Sequence, residues 1–387
     1  MDNCVISAVG AGSLHREWLK GDLCEFDLHL IVYDDSLDQF QGDAPYVCHK
    51  AGYKLKVVHE YLMEHPGLLD KYEYFFIPDD DILMDAHAIN LLFATMATHH
   101  LRIAQPSLVR SYYLWGHTLH DPYCRLRYTN YVEMMVPCFS SEALRKVLFT
   151  FGENDTGWGV ETHWSLLIGA GSHDMAIIDD VEVVHTRPIR SGQLKHRQEA
   201  AAYLRKYGLL TQVVEYGYVP IGEEHAPLFL CDRETYWRLV RQLQGVVRKV
   251  FRPQGDTMDG YVAYVCLLCM LGDMTQSRLY HDMANTMAAQ TFDRMEDMGD
   301  TDVRMIVTDW LPGQMDALTL ESPAIMQAYR LWKSFVSSKD MATCLQLRKI
   351  LKGCDVAALT FCEQLALAYM LFNSVVCGTK HFINKIN

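Results

Sequence analysis

The chain has 387 residues, half of them apolar, and its 35 basic and 48 acidic side chains give a formal charge of −13. That length fits two domains with sizeable cores, and the apolar share excludes a disordered or fibrous chain. The acidic balance argues against a nucleic-acid surface, which needs positive patches.

The opening Met1-Asp2-Asn3-Cys4 lacks the basic start of a secretion signal. The longest apolar run, Tyr261–Leu271, is far short of the ~20 residues a spanning helix needs. A cytoplasmic chain without a transmembrane segment is therefore expected, any membrane contact being peripheral. Twelve scattered cysteines read as free thiols in a reducing compartment. Cys266 and Cys269 form a CxxC inside the apolar run with no second pair, so they read as buried helix thiols rather than zinc ligands.

In chain order, Cys4–Val9 and Leu28–Tyr33 read as strands, and the spacing of Leu55, Val58 and Leu62 predicts a helix over Lys50–Glu64. Tyr72–Ile77 is an aromatic strand stopped by Pro78. A helix over Ala86–His99 and a strand over Arg102–Pro106 follow. Tyr112–Tyr131 is aromatic and polar and reads as an irregular excursion. Val132–Val136 is expected as a strand, Ser141–Phe149 and Trp164–Ala170 as helices, and Ala176–Ile178 and Glu182–Val184 as strands. Beyond residue 190 helical patterns dominate, from Gln198–Lys206 to Cys362–Val376. The expectation is an α/β fold with a mixed, mainly parallel sheet flanked by helices, then an all-α domain. The boundaries expected are 1–195 for the first domain, 196–225 for a linker and connecting helix, and 226–387 for the helical domain.

Three stretches carry chemistry. Asp79-Asp80-Asp81 follow a buried strand where an α/β sheet exposes its carboxyl edge. Asp79 and Asp81, two apart, can face a divalent cation or a ribose, and three adjacent negative charges call for compensation. Gly157-Trp158-Gly159 allows a tight loop that brings an indole face to a ligand, with Glu161 just beyond, placed to take a proton from a bound hydroxyl. His185 ends a strand, where it can add a nitrogen ligand to a carboxylate-bound metal, and Arg187 or Arg190 can pair with phosphate oxygens.

In this order the motifs resemble the metal-dependent glycosyltransferases of the GT-A fold. More closely, YFFIPDDDI, AQPSL, NYVEMMVPCFS, GWGVE and VVHTRP are similar to the DUF707 family of glycosyltransferase-like proteins, over roughly residues 1–220. The resemblance implies Mn²⁺ or Mg²⁺ on Asp79, Asp81 and His185, with Asp79 and Asp80 facing a nucleotide-sugar donor, a UDP-sugar by preference. Transferases of the galactosyl type often carry two acidic residues after GWG. Here the second position is Thr162, so Glu161 stands as base or acceptor ligand, and Glu133 is the second candidate carboxylate. Lys50 or Lys54, and Arg187 or Arg190, would add positive charge for the diphosphate. Gly10, Gly12 and Ser13, with Asp34 or Asp35, would meet the nucleotide at the first two strand ends. Trp115, His117 and Trp158 would form the acceptor wall.

The implied activity is inverting sugar transfer to a glycan or lipid-linked acceptor in surface polysaccharide assembly. The helical domain would serve homo-oligomerisation or docking to assembly proteins. The alternatives are an inactive transferase-like scaffold and another metal-assisted nucleotidyl or phosphoryl enzyme.

Overall fold

β-branched and aromatic runs in the first part of the chain assemble a ten-stranded mixed sheet. The computed structural model describes residues 2–113, 115–188, 194–222, 231–249, 258–292, 311, 315, 318, 320–338 and 340–383. The chain divides into two units, Met1–Pro220 and Ile221–Asn387. The first runs β1 (Asn3–Val9), β2 (Asp27–Val32), β3 (Tyr46–His49), α1 (Lys54–Glu64), α2 (Leu68–Lys71), β4 (Tyr74–Phe76), β5 (Ile82–Leu83), α3 (Ala86–Thr98) and β6 (Ile103–Leu108). It continues through β7 (Cys124–Thr129), β8 (Cys138–Ser140), α4 (Ser141–Val147), α5 (Glu161–Leu167), β9 (Met175–His185), α6 (Leu194–Tyr207) and β10 (Glu215–Pro220).

The strand order is β10-β7-β9-β6-β8-β4-β1-β2-β3, with β5 paired to the end of β9. β1 pairs in parallel with β2 and β4, β2 with β3, and β6 with β9. β8 runs against both β4 and β6, and β7 runs against both β9 and β10. Every other strand on this path therefore points one way, and the sheet is mainly parallel in direction. The carboxyl ends of β1, β2, β4 and β9 share one edge, and the reversal of β8 brings the segment that leads into it to that same edge.

Both faces of the sheet are covered, which is why β1 reads as an almost unbroken apolar run. Its residues alternate: Cys4, Ile6 and Ala8 join a core with Leu55, Val58 and Leu62 of α1, Leu144 of α4 and Trp164 of α5. Val5 and Val9 face the other core, with Ile89, Leu92 and Phe93 of α3.

Four local expectations are corrected. Val132–Val136 is not a strand: Pro137, which lacks a ladder N–H, delays β8 to Cys138. Tyr112–Tyr131, expected to be irregular, contains β7. β3 was not anticipated, being a short edge strand with no buried residue. β10, inside the stretch expected as linker and connecting helix, was not anticipated either; it is an edge strand hydrogen-bonded to β7.

The second unit is helical: α7 (Arg233–Lys249), α8 (Met258–Thr275), α9 (Arg278–Phe292), α10 (Pro323–Ser338), α11 (Met341–Lys352) and α12 (Phe361–Ile383). α8 packs on α7, α9 and α12, and Cys266 and Cys269 are buried on it, in no disulfide. Among the described residues no helix is long and apolar enough to cross a membrane.

Candidate functional site

The carboxyl edge of the sheet opens into a cavity of about 910 Å³. Its lining includes Asp79, Asp80 and Asp81 after β4, His185 and Arg187 after β9, Glu133 before β8, and Trp158 and Glu161 at the start of α5. The three stretches that carry chemistry in the sequence thus meet in one space, as strand ends of an α/β sheet do.

One donor atom each from Asp79, Asp81 and His185 lies within 4.8 Å of the others. The pairing of Ile82 with His185 across β5 and β9 sets this proximity, because Asp81 directly precedes Ile82. The main chain reinforces it, since the Thr186 N–H and hydroxyl both donate to the Asp81 carbonyl, at 3.1 and 2.8 Å. His185 Nδ1 lies 3.0 Å from the Tyr112 carbonyl, which accepts a hydrogen bond from it, and Nε2, 3.5 Å from Asp81 Oδ2, is the nitrogen that would bind a metal once unprotonated. Asp81 Oδ1 is buried with no hydrogen-bond partner. A desolvated carboxylate oxygen without a donor is costly, and a cation would satisfy it. Two carboxylates and an imidazole suit a divalent ion such as Mn²⁺ or Mg²⁺, so the donor set fits the group.

Burial alone would raise the Asp81 carboxyl. The His185 bond, with the charges of His185 and Arg187, outweighs it and holds Asp81 below the ordinary range. His185 is raised in turn: burial opposes its charge, and Asp81 more than offsets that.

Asp80 points away from the other two. Its Oδ2 accepts from the Gly10 N–H and the Tyr33 hydroxyl, each at 3.0 Å, and its Oδ1 lies 3.3 Å from Arg187. Burial raises Asp80 despite these partners. Asp80 therefore ties the ends of β1 and β2 to β4. Gly10 is required by this closeness, since a Cβ there would sit 2.5 Å from the Tyr33 ring and 2.7 Å from Asp34 Oδ2. Asp34 holds the turn by accepting from the Ala11 N–H at 3.0 Å, and the Ser13 hydroxyl bonds His15. Gly10, Gly12, Ser13 and Asp34 shape the rim rather than line the cavity. Arg187 also donates to the Gly12 carbonyl. Lys50 turns away, paired with Glu64 at 2.6 Å. Lys54 lines the cavity and contacts Asp79 Oδ1 at 2.6 Å. Arg190 lies outside the described residues.

Across the cavity, Glu161 accepts from the Tyr131 hydroxyl at 2.9 Å and the Gly159 N–H at 3.0 Å. Burial raises its carboxyl, and these two donors oppose the rise. Glu133 has weaker support, with Thr118 Oγ1 at 3.5 Å. Burial and the Glu161 charge push it up to about 8. Gly157 and Gly159 both hold positive φ, +77° and +92°, which makes the sharp turn into α5. Trp158 faces the cavity but stacks on His196 of α6, ring centroids 5.0 Å apart. Trp164 is core, donating to Thr150 Oγ1.

Trp115 and His117 do not line the cavity; both pack on the Tyr131 ring at 5.4 Å. His117 Nε2 meets the Tyr131 carbonyl at 3.3 Å, and burial lowers the ring to about 4. Their place is behind the residue that holds Glu161. Tyr33 and Tyr131 were not anticipated, and only three-dimensional hydrogen bonding picks them out among 21 tyrosines.

No family model matches the chain, and no curated protein sequence matches it. Among solved structures it is similar to CMP:2-keto-3-deoxy-manno-octonic acid synthetase complexed with CTP, at 8% identity over 53% of this chain and 100% of that one, TM-score 0.31. It is similar to S. aureus TarS, at 10% identity over 76% of this chain and 54% of that one, TM-score 0.34. For S. aureus TarS 1-349 the figures are 12%, 81%, 92% and 0.36.

Proposed function

We propose that this protein is a metal-dependent glycosyltransferase of the GT-A, DUF707-like kind, moving a sugar from a nucleotide-sugar, a UDP-sugar by preference, to a hydroxyl of a glycan or lipid-linked acceptor. One observation carries the reading. Asp79, Asp81 and His185 converge at the carboxyl edge of the sheet, with a buried, unpartnered Asp81 oxygen, in the same cavity as the buried carboxylate of Glu161. An acid cluster alone would serve nucleotidyl or phosphoryl chemistry equally, but a second carboxylate in the same cavity, held by Tyr131, suits deprotonation of an acceptor hydroxyl.

A divalent cation on Asp79, Asp81 and His185 would neutralise charge on the departing diphosphate. The rest falls to the chain's own groups. Asp80 holds the ends of β1 and β2 against the metal-side loop, so the donor's nucleotide meets a fixed rim. Tyr131 and the Gly159 N–H orient the Glu161 carboxylate. Glu161 takes the proton of the acceptor hydroxyl as that oxygen bonds the anomeric carbon and the sugar–diphosphate bond breaks, which inverts configuration. The Trp158 face not covered by His196 offers a platform for an acceptor ring. The helical unit would serve self-association or docking to assembly proteins.

The test is a thermal-shift panel of UDP-, GDP-, CMP- and dTDP-sugars with and without Mn²⁺, run on the native protein and on Asp81→Asn. A ligand of the folded state raises the melting temperature by mass action. One nucleotide class should do so only with Mn²⁺, and Asp81→Asn should abolish the shift. A shift indifferent to both metal and mutation, or none at all, defeats the proposal.

A further inference from the structure

Lys54, the first residue of α1, was expected to reach a donor phosphate, yet its ammonium is already committed. Nζ lies 2.6 Å from Asp79 Oδ1 and 3.2, 2.5 and 3.1 Å from the carbonyl oxygens of Ile77, Met134 and Met135. Four acceptors surround a group with three protons, and the side chain is 8% exposed. A lysine gripped this way belongs to the framework, because freeing it for a ligand would take a donor from three carbonyls and a carboxylate at once.

The partners reveal what it frames. Ile77 directly follows β4, Asp79 belongs to the candidate metal cluster, and Met134 and Met135 follow Glu133 in the segment leading into β8. A second link joins the same two segments, since the Asp79 N–H donates to the Met135 carbonyl at 2.8 Å. The Asp79 side chain is otherwise more exposed, at 35%, than that of Asp81, at 11%. Without the ammonium, little else fixes its rotamer.

We propose that Lys54 is a positioning residue: it takes one oxygen of Asp79, leaves the other to face the cation, and locks the Glu133 segment to the metal-side loop. The proposal rests on the metal reading of the cluster and departs from a donor-ligand role for Lys54. It makes the two walls of the cavity one rigid piece, so that the metal ligand and Glu133 keep their separation.

Two measurements test it. The first is Mn²⁺ affinity by calorimetric titration of the full chain and of Lys54→Met, which keeps the apolar stem. Loss of an outer-sphere partner of this kind costs roughly 10- to 100-fold in metal affinity, and that weakening is expected here. If the native protein binds Mn²⁺ and Lys54→Met binds it equally or more tightly, the positioning role is wrong while the metal reading stands. No Mn²⁺ binding by the native protein overturns both. Should Lys54→Met fail to fold, Lys54→Arg, which keeps the charge but not the four-acceptor fit, is read the same way. The second uses the unmodified protein: labelling with an amine-reactive ester, with and without UDP and Mn²⁺, read by mass spectrometry. Lys54 should stay unlabelled throughout while exposed Lys20 and Lys206 react. Labelling of Lys54 in the free protein that UDP prevents would return it to the donor-phosphate role.

Discussion

Glu161 and Glu133 share one cavity with different surroundings, and that difference sets what each substitution should do. Glu161 is held by a hydroxyl and a main-chain N–H, so Glu161→Gln should fold, keep the Mn²⁺-dependent nucleotide shift and lose transfer by about 10²- to 10⁴-fold, the range for a general base. Loss of nucleotide binding in that variant would make Glu161 a donor ligand instead. Glu133, raised to about 8 by burial, is neutral in the fold at pH 7 and ionised when unfolded. A carboxyl raised in the folded state stabilises fully below its ordinary value of 4.5 and loses that contribution as pH climbs through 8. With metal chelated, the melting temperature should fall from about pH 5 to pH 8, and Glu133→Gln should flatten that fall. An equal slope in the two proteins would show that Glu133 is not the titrating group. Asp79, Asp81, His185 and Glu161 were legible in the sequence because charge beside a buried strand or a glycine turn is conspicuous. Tyr33 and Tyr131 were not, because which carboxylate a tyrosine meets is decided by residues far away in sequence. Trp115 and His117 pack on the Tyr131 ring, and an aromatic segment looks the same in sequence whether it faces a sugar or backs another ring.

At the level of elements, the GWG turn is built against α6. A Cβ on Gly159 would lie 3.1 Å from the Ala200 Cα, and its φ of +92° disfavours any side chain. Gly159→Ala should cost about 2 kcal/mol in urea unfolding, the scale of local backbone strain, and should weaken nucleotide binding less than it weakens transfer. A variant as stable as the parent would mean that α6 moves aside freely. The buried strands were readable as apolar runs because both their faces are covered. β3 and β10 escaped notice because these edge strands bury no residue fully and so carry no such signature. Residues 132–136 were read as strand from their apolar content, but the main chain there turns so that its carbonyls meet Lys54 instead of a neighbouring strand.

For the molecule as a whole, among the described residues every one that lines the cavity comes from Met1–Pro220. A chain ending after residue 220 should therefore keep the Mn²⁺-dependent nucleotide shift, while an assay with the true acceptor would expose any contribution of the helices. Failure of that fragment to bind nucleotide, if it folds, would assign part of donor binding to the second unit. The change from alternating to helical patterns near residue 190 was visible in the sequence. α6 carries the period of the helices beyond it while packing Tyr203 into the core of the first unit.

The two-residue ladder between β5 and β9 has a bearing on biosynthesis. Asp79 and Asp81 leave the ribosome about a hundred residues before His185, and only the pairing of Ile82 with His185 brings the third ligand to them. A nascent chain that has emerged only as far as β8 carries both aspartates and most of the sheet, yet lacks the third side chain of the candidate cluster. On the proposed metal reading, an ion held by all three side chains would join the protein only after β9 has closed the edge.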